Sequence, residues 1–119
     1  MTSSQLIKNY NTGKQGEYIT SRYLEEHGYK IIATRFRHIG GEIDILATKN
    51  NILCAVEVKS SKSIHAALNA LSHTQYERMA HIIEIFLQQN PTYIEYDIRF
   101  DAAIVIHNKI AEYIENVSI

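Results

Sequence analysis

A chain of 119 residues with 45% apolar and 21% charged side chains has the composition of one ordinary globular domain, long enough to bury a core of its own. Its 12 basic and 13 acidic residues leave a net charge of -1, so bulk charge gives no reason to expect nucleic acid. The single cysteine, Cys54, excludes a disulfide scaffold and a cysteine zinc cage, and no apolar run approaches the roughly 20 residues of a membrane span.

Met1–Asn11 holds no apolar stretch of the signal-peptide kind, so a cytoplasmic chain is expected. Residues 1–10 read as a flexible arm ahead of a single domain over 11–119. A helix is predicted from Asn11 or Thr12, both able to cap it, to about His27, where Gly28 provides a stop. Ile19, Tyr23 and His27 form one stripe along it, with Thr20 and Leu24 beside that stripe. Tyr29–Phe36, rich in β-branched and aromatic residues, reads as a strand. Gly41–Thr48 and Ile52–Ser60 read as two more, joined by Asn50 and Asn51, which tolerate the left-handed backbone of a tight hairpin.

From Ser61 to Ala70 the pattern is weak. Ser72 and Gln75 then stand at capping-box spacing, and Tyr76, Met79, Ala80, Ile83 and Phe86 follow at helical spacing until Pro91 stops the helix. Ile94–Ile106 and Ile110–Val117 read as the last strands, with a hairpin near Asn108. The order α-β-β-β-α-β-β predicts a mixed sheet with helices packed on it, an α/β or α+β sandwich. Charge is uneven along this order, with 9 basic and 6 acidic residues through position 76 and 3 and 7 after it. A basic binding face with an acidic solvated one, or plain surface variation, accounts for that equally well.

Two strands carry polar residues where apolar ones are expected. Side chains alternate along a strand, so Glu42 and Asp44 share a face, as do Glu57 and Lys59. A two-residue turn at Asn50-Asn51 sets Lys49 opposite Ile52, which places Asp44 opposite Glu57 and Glu42 opposite Lys59. All four polar groups then fall on one face. Opposed carboxylates about 5 Å apart repel. A divalent cation offsets the repulsion, and oxygen ligands suit magnesium or manganese. Carboxylates, a metal and a nearby ammonium together suit phosphodiester hydrolysis. A solvated hairpin face with a Glu–Lys cross-strand pair is the competing reading.

The pattern Glu42-x-Asp44 followed by Glu57-x-Lys59 resembles the PD-(D/E)XK nuclease signature. More closely, the chain resembles the YraN-like bacterial family, predicted endonucleases related to archaeal Holliday junction resolvases. The matching residues are Gly13, Gly16-Glu17, Tyr23-Leu24, Gly28-Tyr29, Arg37, Gly41-Glu42-Ile43-Asp44, Val56-Glu57-Val58-Lys59, Gln75, Arg78 and Arg99-Phe100-Asp101. They span most of the chain in order.

The resemblance implies a restriction-endonuclease-like α/β fold and a Mg2+- or Mn2+-dependent deoxyribonuclease acting on DNA, branched or damaged forms included. It implies that Asp44, Glu57 and the Val58 carbonyl hold the metal and that Lys59 is the catalytic lysine. Glu17 resembles the extra acidic residue of the resolvases, and Gln75 the helix glutamine over many such sites. Their alternatives are an exposed first-turn Glu favoured by the helix dipole and a simple capping-box member. Glu42 is an accessory candidate, and Asp101 reads as structural. Basic residues that the family tends to carry near Ser61 and Thr74 are absent, leaving Arg35, Arg37, Lys62 and Lys14 as phosphate contacts.

The resolvases act as dimers, so the resemblance also implies a homodimer; the lack of a long apolar run gives no reason to expect a membrane partner. A non-catalytic nucleic-acid-binding module, or a protein-interaction module on the same scaffold, is the alternative function. The histidines His27, His38, His65, His73, His81 and His107 form no H-E-x-x-H pattern, and there is no P-loop or dinucleotide fingerprint.

Overall fold

The computed structural model describes residues 2–117. Helix α1 (Ser3–Glu26) leads into a meander of β1 (Lys30–His38), β2 (Gly41–Lys49) and β3 (Ile52–Ser60). Helices α2 (Ile64–Ala70) and α3 (His73–Gln89) carry the chain to β4 (Asp97–Ile106) and β5 (Lys109–Ile114). One sheet in the order β1-β2-β3-β4-β5 results, antiparallel except between β3 and β4. This is the expected α/β architecture, a central mixed sheet flanked by helices, with one helix more than the sequence predicted. That helix, α2, is capped by Ser63 and buries only Ala67, too short a signal for periodicity to register. No helix of the described residues is long and apolar enough to cross a membrane.

The helices cover both sides of the sheet. On one side Ile43, Leu46, Leu53 and Ala55 pack with Met79, Ile82, Ile83 and Phe86 of α3. On the other, Ile45, Ala47, Cys54, Val56 and Ala103 pack with Leu24 of α1. Both the β2–β3 and β4–β5 hairpins turn through left-handed residues, as short β-connections require. Asn50 has φ 54° between the paired Lys49 and Ile52, and His107 and Asn108 have φ 51° and 61° between β4 and β5. Several boundaries move from their expected places. Helix α1 takes in residues from Ser3 that read as an arm, because Leu6, Ile7 and Tyr10 continue a helical spacing in the sequence. Pro91–Tyr93 forms a 3-10 turn, which delays β4 to Asp97, and β5 ends at Ile114. Gly28, at φ 88°, does end α1: the Tyr29 N–H donates to the Leu24 carbonyl at 2.9 Å and the Gly28 N–H to that of Glu25 at 3.1 Å.

The inward line of α1 differs from the expected stripe. Gly16, Thr20 and Leu24 are buried, whereas Ile19 and Tyr23 are half-buried or more open and His27 is exposed, stacked on the Tyr23 ring at 4.0 Å. The reason is close approach. A Cβ at Gly16 would stand 2.6 Å from Ser60 Oγ and 3.3 Å from Val58 Cγ1, so only glycine lets the helix lie against β3 there. Thr20 spends its hydroxyl on the Gly16 carbonyl at 2.8 Å. Gly16→Ala is therefore expected to destabilise the protein by about 1–3 kcal/mol despite a better helix propensity. Gly13→Ala, where an added Cβ meets nothing within 4 Å, is expected to stabilise it by about 0.5–1 kcal/mol. Urea unfolding of the two variants checks both signs.

Under β5 lies a buried polar centre. Asp101, 2% exposed, accepts from Arg99 Nε and Nη2 at 2.9 Å each, from Tyr113 Oη at 2.6 Å, from Cys54 Sγ at 2.8 Å and from the Asn116 N–H at 2.9 Å. Arg99 also donates to the Tyr29 hydroxyl. Burial would raise the Asp101 pKa, but the donors from Arg99, Cys54, Tyr113 and Asn116 outweigh it and hold the carboxyl below its ordinary value. The structural role expected for Asp101 follows from these bonds.

Candidate functional site

The hairpin register is the expected one as far as it goes. Pairs run from Lys49↔Ile52 to Ile45↔Val56, and there the β2–β3 ladder ends, one step before Asp44 and Glu57. At the next step the Val58 N–H donates to Asp44 Oδ2 at 2.8 Å, so a side-chain carboxylate takes a donor of β3. On its other side β2 pairs Thr34↔Ile45 and Phe36↔Ile43, bracketing Arg35 and Asp44, and Arg35 has φ 51°. That conformation costs an arginine about 1 kcal/mol or more and marks a local distortion of the ladder. Its effect is visible in the packing. Ile43 joins the α3-side core and Ile45 the α1-side core, although strict alternation would put them together.

The break corrects the expected single-faced quartet. Glu42 does not meet Lys59; its ion pair is to Arg37 Nε at 3.2 Å. It is drawn instead toward α1, where Glu17, Glu42 and Asp44 each bring a carboxylate oxygen within 4.8 Å of the other two. Glu17 pairs with Arg35 Nε at 2.7 Å. It sits next to Gly16, so the close helix–sheet contact at Gly16 is what delivers it. Glu17 is half-buried in the body of α1 rather than an exposed first-turn Glu.

Glu57 and Lys59 keep their expected proximity. Glu57 is buried, and its Oε1 receives Gln75 Nε2 at 2.6 Å and Lys59 Nζ at 3.3 Å. Gln75 is placed by its helix start. Ser72 caps α3 by accepting the Gln75 N–H at 3.2 Å, which leaves the Gln75 side chain pointed at β3 rather than closing a capping box. Val58 and Lys59 line one open cavity of about 440 Å³ with Glu17, Asp44 and Glu57. Asp44 and Glu57 also face a second opening beside Gln75 and Arg78. Arg78 follows Gln75 by three residues, so helical spacing alone puts the two on one face.

The electrostatics follow from the crowding. Burial, then the neighbouring Glu57 charge, raise the Asp44 carboxyl from 3.8 to about 7; the Val58 N–H opposes this, and Glu17 and Glu42 add to it. The basic candidates divide. Arg35 and Arg37 are bound to site carboxylates, Lys62 is exposed just beyond β3, and Lys14 is exposed on α1. An all-oxygen donor set of clustered carboxylates fits a hard divalent cation, whose charge would relieve both the burial and the crowding at Asp44. Asp44, Glu17 and Glu42 would hold it, and Glu57 lines the same cavity as Asp44.

Comparison with known proteins places the chain. The model of the uncharacterised protein family UPF0102 matches residues 16–105. A UPF0102 protein of Bradyrhizobium diazoefficiens is 31% identical over 96% of this chain and 86% of its own length. One from Mesorhizobium japonicum is 32% identical over 96% and 91%, and one from a Chelativorans strain is 31% identical over 91% and 87%.

Proposed function

The chain belongs to the uncharacterised protein family UPF0102, and on that premise we propose that it is a metal-dependent endonuclease hydrolysing phosphodiester bonds in DNA. One observation carries the reading: Asp44 stands at the end of a broken ladder, beside Glu57 and Lys59 in one open cavity and within 4.8 Å of Glu17 and Glu42. The resemblance to the PD-(D/E)XK nucleases supports it, since the four residues of that signature all lie at this sheet end.

A divalent cation, when bound, supplies a water of lowered pKa and a positive charge for the phosphate oxygens. The chain supplies the rest. The Val58 N–H fixes one oxygen of Asp44 and so orients the carboxylate. Gln75 and Lys59 both hold Glu57 by the same oxygen, Oε1, which sets the plane of that carboxylate. The Lys59 ammonium, half-buried at the cavity wall, is positioned to stabilise negative charge developing on a phosphate. Arg35 and Arg37 hold Glu17 and Glu42 in place.

Cleavage of labelled single-stranded, duplex, flapped and four-way DNA at low salt, in magnesium or manganese, tests the proposal. Metal-dependent cutting that Lys59→Ala loses by about 10²-fold or more supports it. Binding without cutting by the wild type would instead make the chain a non-catalytic nucleic-acid-binding module. Neither binding nor cutting would leave a protein-interaction module on this scaffold. The resolvase resemblance also carries a homodimer, which light scattering of the purified protein measures directly.

A further inference from the structure

The cavity at Asp44 continues in two directions. Through Ser60 it passes into a cavity of about 400 Å³ lined by Ser61, Lys62, His107 and Asn108. Through Asp44 and Glu57 it passes into one of about 230 Å³ lined by Gly41, Glu42, Gln75 and Arg78. Shared lining residues set the three side by side, a furrow along the end of the sheet. Asp44 and Glu57 line its middle, Lys62 and His107 stand exposed on one flank, and on the other Arg78 stands exposed beside Glu42.

The fold explains this placement. Lys62 follows closely on β3, and His107 begins the turn after β4, the strand that lies parallel to β3. The Ser61 N–H donates to the Val105 carbonyl at 3.0 Å, which ties the two segments together. Arg78 lies one helical turn beyond Gln75, so the bond that seats Gln75 on Glu57 also turns Arg78 toward the furrow.

A furrow with carboxylates in the middle and a basic side chain on each flank suits a ligand with regularly repeated negative charge. The central unit meets the carboxylates through a cation, and its neighbours meet the basic side chains directly. We propose that the flanking cavities are phosphate subsites for one continuous nucleic-acid strand, Lys62 and His107 taking the phosphate on one side of the cleaved bond and Arg78 that on the other. The proposal rests on the phosphodiester reading above. To Lys62, already a phosphate-contact candidate, it adds His107 and Arg78 as residues that set strand affinity without touching the reacting phosphate.

Fluorescence anisotropy of a labelled single strand in calcium, over a range of salt, tests it. Lys62→Ala/His107→Ala and Arg78→Ala are compared with wild type and with Lys30→Ala, an exposed lysine at the far end of β1. Each flank variant is expected to bind about three- to tenfold more weakly and to lower the salt slope by about 0.7 per lost phosphate contact. Lys30→Ala is expected to change neither.

Wild-type cutting with unchanged affinity and slope in both flank variants overturns the subsites and leaves the nuclease reading intact. Equal weakening by Lys30→Ala overturns them too, since surface charge at large then suffices. A wild type that neither binds nor cuts any DNA overturns both proposals.

Discussion

Asp44→Asn is expected to abolish metal-dependent hydrolysis, a loss of about 10³-fold or more, and at the same time to raise the melting temperature of the metal-free protein at alkaline pH. The two effects share a cause. In the metal-free fold, burial and the Glu57 charge hold the Asp44 carboxyl at about 7 instead of 3.8. The folded state thus binds more protons than the unfolded chain between those values, and its stability falls as pH rises from about 4 to 7. Below the window both states are protonated and the contribution is whole; above it the full penalty of the buried charge is present. The asparagine side chain keeps an oxygen for the Val58 N–H and cannot ionise.

The melting temperature of the variant should therefore match that of wild type near pH 4, rise above it through the window, and hold a constant lead beyond pH 7. A lead of about 1 kcal/mol corresponds to roughly 4–8 °C for a domain of about this size. Adding magnesium should reverse the order at pH 8 by stabilising wild type alone. Calorimetry over this pH range reads the sign. A variant that melts below wild type throughout would show that Asp44 is held by favourable contacts rather than crowded by like charge.

Asp101→Ala is expected to cost about 3–5 kcal/mol, a large part of the 5–15 kcal/mol that holds a typical domain together. The substitution removes the acceptor shared by Arg99, Cys54, Tyr113 and the Asn116 N–H. It leaves the Arg99 side chain, 16% exposed, as a buried charge without that partner. Asp101→Asn, which keeps the shape and loses the charge, should fall between Ala and wild type. The double change Arg99→Met/Asp101→Leu should recover part of the loss, because no charge is then stranded. Chemical denaturation separates the three. An Asp101→Ala cost near zero would mean that Arg99 finds another acceptor, Glu115 standing at 3.9 Å.

Much of the site could be read from local chemistry. Asn50 turns left-handed where the hairpin needed it, the Lys49↔Ile52 register follows, and Glu57 and Lys59 stay neighbours as strand periodicity requires. Gln75 was visible as a helix-start residue, but its bond to Glu57 depends on how α3 lies on the sheet. What periodicity could not give was the break at Asp44. Extending a regular ladder from the turn assumes that every backbone donor finds a backbone partner, and here a carboxylate takes the Val58 N–H. Glu42 was misplaced for that reason, and Glu17 gained company that no spacing within one strand could reveal. The inward line of α1 was hidden because its key member, Gly16, has no side chain to count as apolar. The Asp101 centre draws on residues from 29 to 116, which meet only once β3 and β4 lie side by side.

The single parallel pairing in the sheet bears on the order in which the molecule assembles. β1, β2 and β3 join through tight turns, so their contacts are near in sequence and quick to form. β4 can reach β3 only after the chain from Ser61 to Tyr96 has closed a long crossover, which makes its docking the slow event. Asp44, Glu57 and Lys59 all lie in the rapid part. A chain paused before that docking would already hold those residues on one hairpin while β3 still lacked its β4 neighbour. Folding speed should accordingly respond to changes along the β3–β4 seam far more than to changes in the acidic residues themselves.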